Sequence, residues 1–220
     1  MEIKIDGAPA FAFLHIDMLP GERFIAESGA MASMDAKLDM KAKFNGGLFK
    51  GLAKKFLGGE SLFINEFSNN TSETKRLTLT QNFPGDARIV QINQGDVLYL
   101  QPGAYICSDT SINLGIEWAG INSFIGGEGL FRLKITGSGT VVYGAYGGLI
   151  DREIDGELIV DTSHLVSYPK GFTIKTQLSG GIISSFTSGE GFVMRIKGKG
   201  KVVLQTRSIG GLAKWVNRNL

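Results

Sequence analysis

The chain has 220 residues, 43% hydrophobic and 20% charged, a globular balance that excludes wholesale disorder. Lys and Arg number 23 against 21 Asp and Glu, so a net charge of +2 does not mark the whole chain for a polyanionic partner. One cysteine, Cys107, excludes an intramolecular disulfide framework and a cysteine-based zinc cluster.

The first residues, Met1-Glu-Ile-Lys-Ile-Asp-Gly, carry acids and no apolar run, which argues against a secretory signal. No stretch reaches the ~18 consecutive apolar residues of a membrane-spanning helix. With the lone thiol, these features lead to the expectation of a cytoplasmic protein. Leu19-Pro-Gly is the first of three proline turns leading into a strand; Gln101-Pro-Gly and Tyr168-Pro-Lys-Gly are the others.

Residues 45–59, Asn-Gly-Gly-Leu-Phe-Lys-Gly-Leu-Ala-Lys-Lys-Phe-Leu-Gly-Gly, break the β pattern. Read as a helix, Leu48, Phe49, Leu52, Ala53, Phe56 and Leu57 share one half, and Lys50, Lys54 and Lys55 the other. From Met40 through Gly59 there are five lysines and no acid. So short a helix is marginal alone and needs a surface. The surface could be the open end of the core, a second protomer, or an anionic membrane that attracts the lysines and takes up the apolar half.

Most of the remaining chain has a period of two. Leu77-Thr-Leu-Thr-Gln, Arg88-Ile-Val-Gln-Ile and Phe172-Thr-Ile-Lys-Thr alternate apolar with polar, as half-buried strands do. Pro84-Gly-Asp, Asn93-Gln-Gly-Asp, Gly137-Ser-Gly and Gly198-Lys-Gly are expected to supply the hairpin turns, in keeping with 31 glycines and only five prolines. No long helical segment separates the strands, so the expectation is an all-β, antiparallel sandwich or barrel-like body rather than a parallel βαβ sheet. Gly210-Gly-Leu-Ala-Lys-Trp-Val-Asn-Arg-Asn-Leu closes the chain as a short helix with Trp215 on its apolar side.

An internal repeat organises the strands. Glu128-Gly-Leu-Phe-Arg-Leu-Lys-Ile-Thr-Gly-Ser-Gly-Thr-Val-Val returns as Glu190-Gly-Phe-Val-Met-Arg-Ile-Lys-Gly-Lys-Gly-Lys-Val-Val, with a one-residue slip that a β-bulge absorbs. Phe131, Leu133 and Ile135 then match Phe192, Met194 and Ile196 as one inward row. A degraded third copy begins at Gly59-Glu-Ser-Leu-Phe-Ile-Asn. The period is about 60 residues, too long for a solenoid. The reading is one domain of three related β units, approximately 1–92, 93–155 and 156–207, plus a helix at 208–220. Each unit alone leaves its apolar row uncovered, so the three must share an interior.

Candidate chemistry is sparse. His15 and His164 are far apart in sequence and lack the spacing of a cupin metal site. Cys107, in Ala104-Tyr-Ile-Cys-Ser, reads as a small buried hydrophobe. There is no Gly-x-Ser-x-Gly elbow, Walker loop or His-Glu-x-x-His helix. Glu60, Glu128 and Glu190 recur after glycine; they could meet at a threefold axis around a cation, but turn carboxylates accepting backbone N–H groups are the simpler reading. No catalytic, cofactor-binding or metal-ligating residue is assigned.

Gly58-Gly-Glu-Ser-Leu-Phe-Ile-Asn, Leu98-Tyr-Leu-Gln-Pro-Gly-Ala-Tyr, Gly126-Gly-Glu-Gly-Leu-Phe-Arg and Val160-Asp-Thr-Ser-His-Leu-Val resemble the "altered inheritance of mitochondria" family, from about Leu19 to Arg207. The resemblance implies a fold similar to the tryptophan-responsive RNA-binding attenuator protein, of the double-stranded β-helix type with internal duplication. Its bacterial and archaeal members have no established activity, and its eukaryotic members are mitochondrial and affect inner-membrane organisation. It supplies no catalytic residue to carry across. The expected function is a non-catalytic structural or scaffolding module, homo-oligomeric and peripheral to membranes through residues 45–59. A module binding RNA or a small ligand is the alternative, though near-neutral charge and the lack of a basic-aromatic stripe weigh against nucleic acid. An enzyme would require His15, His164 or the repeated glutamates to converge.

Overall fold

A computed structural model of the chain describes residues 2–44, 63–118, 131–178 and 192–219. The period-two pattern becomes three antiparallel sheets. The first has the order β1 (Glu2–Asp6), β2 (Phe13–Met18), β7 (Lys75–Thr80), β4 (Met31–Met34). The second runs β5 (Asp39–Phe44), β6 (Phe63–Ser68), β3 (Arg23–Glu27), β10 (Tyr105–Asp109), β13 (Gly139–Gly144), β8 (Ala87–Ile92). The third runs β11 (Ile112–Trp118), β12 (Phe131–Gly137), β9 (Leu98–Leu100), β15 (Leu165–Pro169), β17 (Phe192–Gln205), β14 (Leu149–Asp161), with β16 (Thr173–Leu178) also on β17. A short helix, α1 (Ile209–Asn219), follows. No helix among the described residues is long and apolar enough to cross a membrane.

Alternation decides which side chains meet. Leu14, Ile16, Met18, Leu77 and Leu79 of the first sheet pack with Phe24, Ala26, Phe67, Ile106 and Val142 of the second. From the other face of that second sheet, Ile25, Ile64, Tyr105, Val141 and Tyr143 pack with Leu100, Leu133, Ile135 and Val166 of the third. The second sheet is therefore the middle layer of a three-layer sandwich. Its central strands read as continuous apolar runs, Phe24-Ile-Ala and Tyr105-Ile-Cys, because neither face is wet. Both cores draw residues from more than one of the three sequence units, and β14 runs from the second unit into the third.

The third core closes inside the third sheet. β14 and β17 form a long ribbon in unbroken register from Leu149↔Gln205 to Asp161↔Val193. Met194 and Ile196 from one half of the ribbon share a cluster with Val202 from the other half, and with Leu165 and Tyr168 of β15, so the ribbon folds over itself. On the ribbon's polar face Asp155 pairs with Lys199 at 2.8 Å, Asp151 with Lys201 at 3.2 Å, and Glu157 with Arg195. Opposite charges facing across the strands fix this register and blunt the long edge strand against self-pairing.

The Gly-x-Gly motifs differ from their sequence expectation. Gly137-Ser-Gly is not a hairpin turn: β12 belongs to the third sheet and β13 to the second, so the chain turns a corner between layers. Gly198-Lys-Gly lies inside β17, opposite Gly156, where the ribbon bends. The equivalent corner of the first unit, between β6 and β7, is built by Asn69, which is wholly buried. Its Nδ2 donates to the carbonyls of Met18 and Glu73, both at 2.8 Å, and its Oδ1 accepts from Thr71 N and Oγ1. Period-two reading finds such a break in the strand but cannot tell a reversal within one sheet from a crossing between two.

Register carried across the second sheet brings one end of every strand into line. Phe44 pairs with Phe63, Ile64 with Glu27, Cys107 with Ala26, Tyr105 with Tyr143, and Gly144 with Ala87. At that same end Thr206 N donates to Gly148 O at 3.0 Å and Arg207 N to Tyr146 O at 3.3 Å, just before α1 begins.

The corners yield a stability test. A Cβ on Gly137, at φ +110°, would stand 2.4 Å from the carbonyl oxygen of Ser111, whereas one on Gly156, at φ +120°, meets nothing within 4 Å. Gly156→Ala is expected to cost about 1–3 kcal/mol from its backbone angle alone. Gly137→Ala should cost clearly more in urea unfolding; equal losses would show that the corner does not depend on the close approach.

Candidate functional site

The residues singled out from sequence as an interaction surface, Leu48, Phe49, Lys50, Leu52, Lys54, Lys55 and Phe56, lie outside the described residues. So do Glu60, Glu128 and Glu190. The segment carrying the first group joins Phe44 to Phe63, the paired ends of β5 and β6.

The other candidates do not meet. His15 stands on the first sheet, with Nδ1 3.3 Å from Thr78 Oγ1 and Nε2 3.5 Å from Asp6 Oδ2. His164 lies in the turn between β14 and β15, where its Nδ1 donates to Gln205 O at 2.7 Å. Cys107 is wholly buried in the first core, and burial pushes its thiol well above the usual range, which makes it a poor nucleophile. Among the described residues no group of three or more His, Cys, Asp or Glu could hold a metal ion.

The third sheet assembles a group that linear reading missed. Tyr168 on β15 lies opposite Tyr99 on β9, which lies opposite Lys134 on β12. The two tyrosine rings stack with centroids 5.1 Å apart and planes at 23°. Arg132 stands over both, its guanidinium carbon 5.3 Å from the Tyr168 ring and 5.9 Å from that of Tyr99. Tyr99 Oη donates to Glu117, at 3.2 Å to the nearer oxygen, and Glu117 is paired with Lys134, also at 3.2 Å. Partial burial and the nearby Glu117 carboxylate raise the Tyr99 phenol above its usual range. Cation–π attraction and stacking contribute about 1 kcal/mol per contact in such settings. The available signal was a tyrosine close before each of two proline turns, Tyr99 ahead of Pro102 and Tyr168 ahead of Pro169. It acquires meaning only once β9 and β15 are neighbours.

The buried tyrosines differ in their polar ends. Tyr105 Oη lies 2.9 Å from Ser108 Oγ, and Tyr143 Oη accepts from Ser167 Oγ at 3.2 Å. Tyr168 Oη is buried and has no hydrogen-bond partner of good geometry among the described residues, and desolvation raises its pKa far above the ordinary phenol value. The group therefore offers stacking and a cation, and its one carboxylate, Glu117, is already engaged by Tyr99 and Lys134.

Comparison with known proteins places residues 3–207 within the model of the family described as mitochondrial biogenesis AIM24. An uncharacterized protein of Streptococcus pyogenes serotype M6 is 26% identical over 230 residues, spanning 100% of this chain and 91% of that protein. The crystal structure of a Streptococcus pyogenes protein superposes with a TM-score of 0.80 at 26% identity, covering 100% of this chain and 99% of that one.

Two measurements check this chemistry. Tyr168→Phe removes a buried hydroxyl that has no hydrogen-bond partner of good geometry among the described residues, so it should leave stability unchanged or raise it by about 1 kcal/mol; a clear loss in thermal unfolding would reveal a partner for that oxygen. Separately, a hydrogen bond from Arg88, with Lys201 nearby, holds the Asp151 carboxyl below the usual carboxylate range. A depressed folded-state pKa gives stability that is present above the unfolded value and lost as pH falls through the folded one. Asp151→Asn should therefore cost less than about 1 kcal/mol at neutral pH, the exposed pair being screened. The difference from the parent protein should shrink as pH falls through the lowered folded-state value, where the carboxylate becomes protonated in both states.

Proposed function

The chain belongs to the AIM24 family of mitochondrial biogenesis proteins, and from that premise we propose that it is a non-catalytic scaffold held at the surface of an anionic membrane through residues 45–59. The observation that carries this reading is the coincidence of charge and position. Five lysines and no acid lie between Met40 and Gly59, interleaved with Leu48, Phe49, Leu52 and Phe56. The strand ends that bear the segment, Phe44 and Phe63, share one end of the second sheet with Gly144 and Ala87. A compact sandwich can use such an end as a foot: lysines gain about 1 kcal/mol each near an anionic surface, and apolar side chains gain from entering it. The rest of the body, built from three layers, stays free to hold partners.

A second reading, binding of single-stranded RNA or a small planar ligand, has the grouping of Arg132, Tyr99 and Tyr168 in its favour. Tyr168 is only 4% exposed, so at most the half-buried Tyr99 offers a face for stacking.

Flotation with phosphatidylglycerol vesicles separates the two. The protein is expected to float, and replacing Lys50, Lys54 and Lys55 together by Glu should weaken binding by about a hundredfold or more. Unchanged binding, or none by the parent protein, removes the membrane reading. Salt-sensitive retention of RNA that Arg132→Ala abolishes would favour the alternative.

A further inference from the structure

The closing helix lies beyond the family-matched residues 3–207, and its composition does not suit free solution. It has eleven residues and begins Ile209-Gly-Gly, two of the poorest helix formers after proline. Helices this short are marginal in water unless a surface covers one side. Ser208 caps its start, with Oγ accepting from Gly211 N at 3.0 Å. Yet the residues spaced three apart along it, Ile209, Leu212 and Trp215, are 51%, 44% and 66% exposed. The body of this protein therefore leaves most of that apolar stripe uncovered.

The stripe has company at the same end of the sandwich. Phe11 is 73% exposed, in the turn leading to β2. The next residue, Ala12, donates to Gly85 O at 2.8 Å; Gly147 N donates to Pro84 O at 3.1 Å; Arg207 N donates to Tyr146 O. Three loops are thus tied together beside the start of the helix. From Arg207 to Leu220 there are three cations, Arg207, Lys214 and Arg218, and no acid. A second copy of the same helix would meet this charge with like charge, whereas an anionic lipid surface complements it. Tryptophan at 66% exposure suits the headgroup layer, where its ring meets apolar chains and its N–H meets water.

We propose that α1, with Phe11 beside its origin, is a second membrane contact: the helix lies in the headgroup layer of an anionic bilayer with Ile209, Leu212 and Trp215 turned into it. The proposal shares with the function above the nature of the surface, but uses none of residues 45–59.

The test follows Trp215 directly. In a Trp118→Phe background it is the sole tryptophan, and its emission should shift to the blue with phosphatidylglycerol vesicles and be quenched by brominated lipid, with little change on phosphatidylcholine. Should Trp118→Phe not fold, the difference between the parent protein and Trp215→Phe reports the same signal. Leu212→Glu should abolish the quenching. The triple Lys50, Lys54, Lys55 to Glu variant should need more lipid but reach the same quenching at saturation. Flotation with Trp215 emission unchanged would overturn the helix contact and leave the lysine segment standing. A blue shift that rises with protein concentration in the absence of lipid would assign the stripe to self-association and overturn the proposal. No binding by any form would remove both readings.

Discussion

Burial of the second sheet on both faces is the constraint from which the rest of the molecule follows. A sheet dry on two sides needs a layer above and a layer below, and here the first and third sheets supply them through Leu14, Ile16 and Leu79 on one side and Leu133, Ile135 and Val166 on the other. Its central strands then have no polar face. Tyr105 and Tyr143 enter the interior with their hydroxyls partnered: Tyr105 by Ser108 and the Ile25 carbonyl, Tyr143 by Ser167, whose Oγ donates to it. The middle layer is built from strands between Arg23 and Gly144, and Val166 from the last part of the chain joins the core on one of its faces.

The three corners are the second element of the design. Asn69, Gly137 and Gly198 stand at the same distance from Phe63, Phe131 and Phe192, and at each the chain leaves one layer for another or the ribbon bends. Glycine does this by occupying angles or spaces closed to other residues; Asn69 does it by replacing lost ladder bonds with its own side-chain amide. Two chemically different solutions serve one geometric need, so the first copy of the repeat is hard to recognise from residue identity.

His15, His164 and Cys107 stand apart from one another, each held by its own local contacts, while the stack of Tyr99, Tyr168 and Arg132 ties together β9, β15 and β12 in the interior of the third sheet. The end where α1 departs gathers exposed apolar residues, Phe11, Ile209, Leu212 and Trp215, and the sequence from Arg207 onward carries cations and no acid.

The sequence by itself determined the all-β class, the apolar rows Leu133/Ile135 and Met194/Ile196, the burial of Cys107 and the closing helix, because alternation and composition are local properties that survive without a partner strand. It also marked the glycine pairs, though as turns of the wrong kind. Only the tertiary structure decided that the second sheet lies in the middle, that Gly137 is a corner between layers while Gly198 is a bend within the β14–β17 ribbon, and that Tyr99, Arg132 and Tyr168 meet. These depend on which strands become neighbours, and strands distant in the chain pair according to the shape of the whole interior, which no local period encodes.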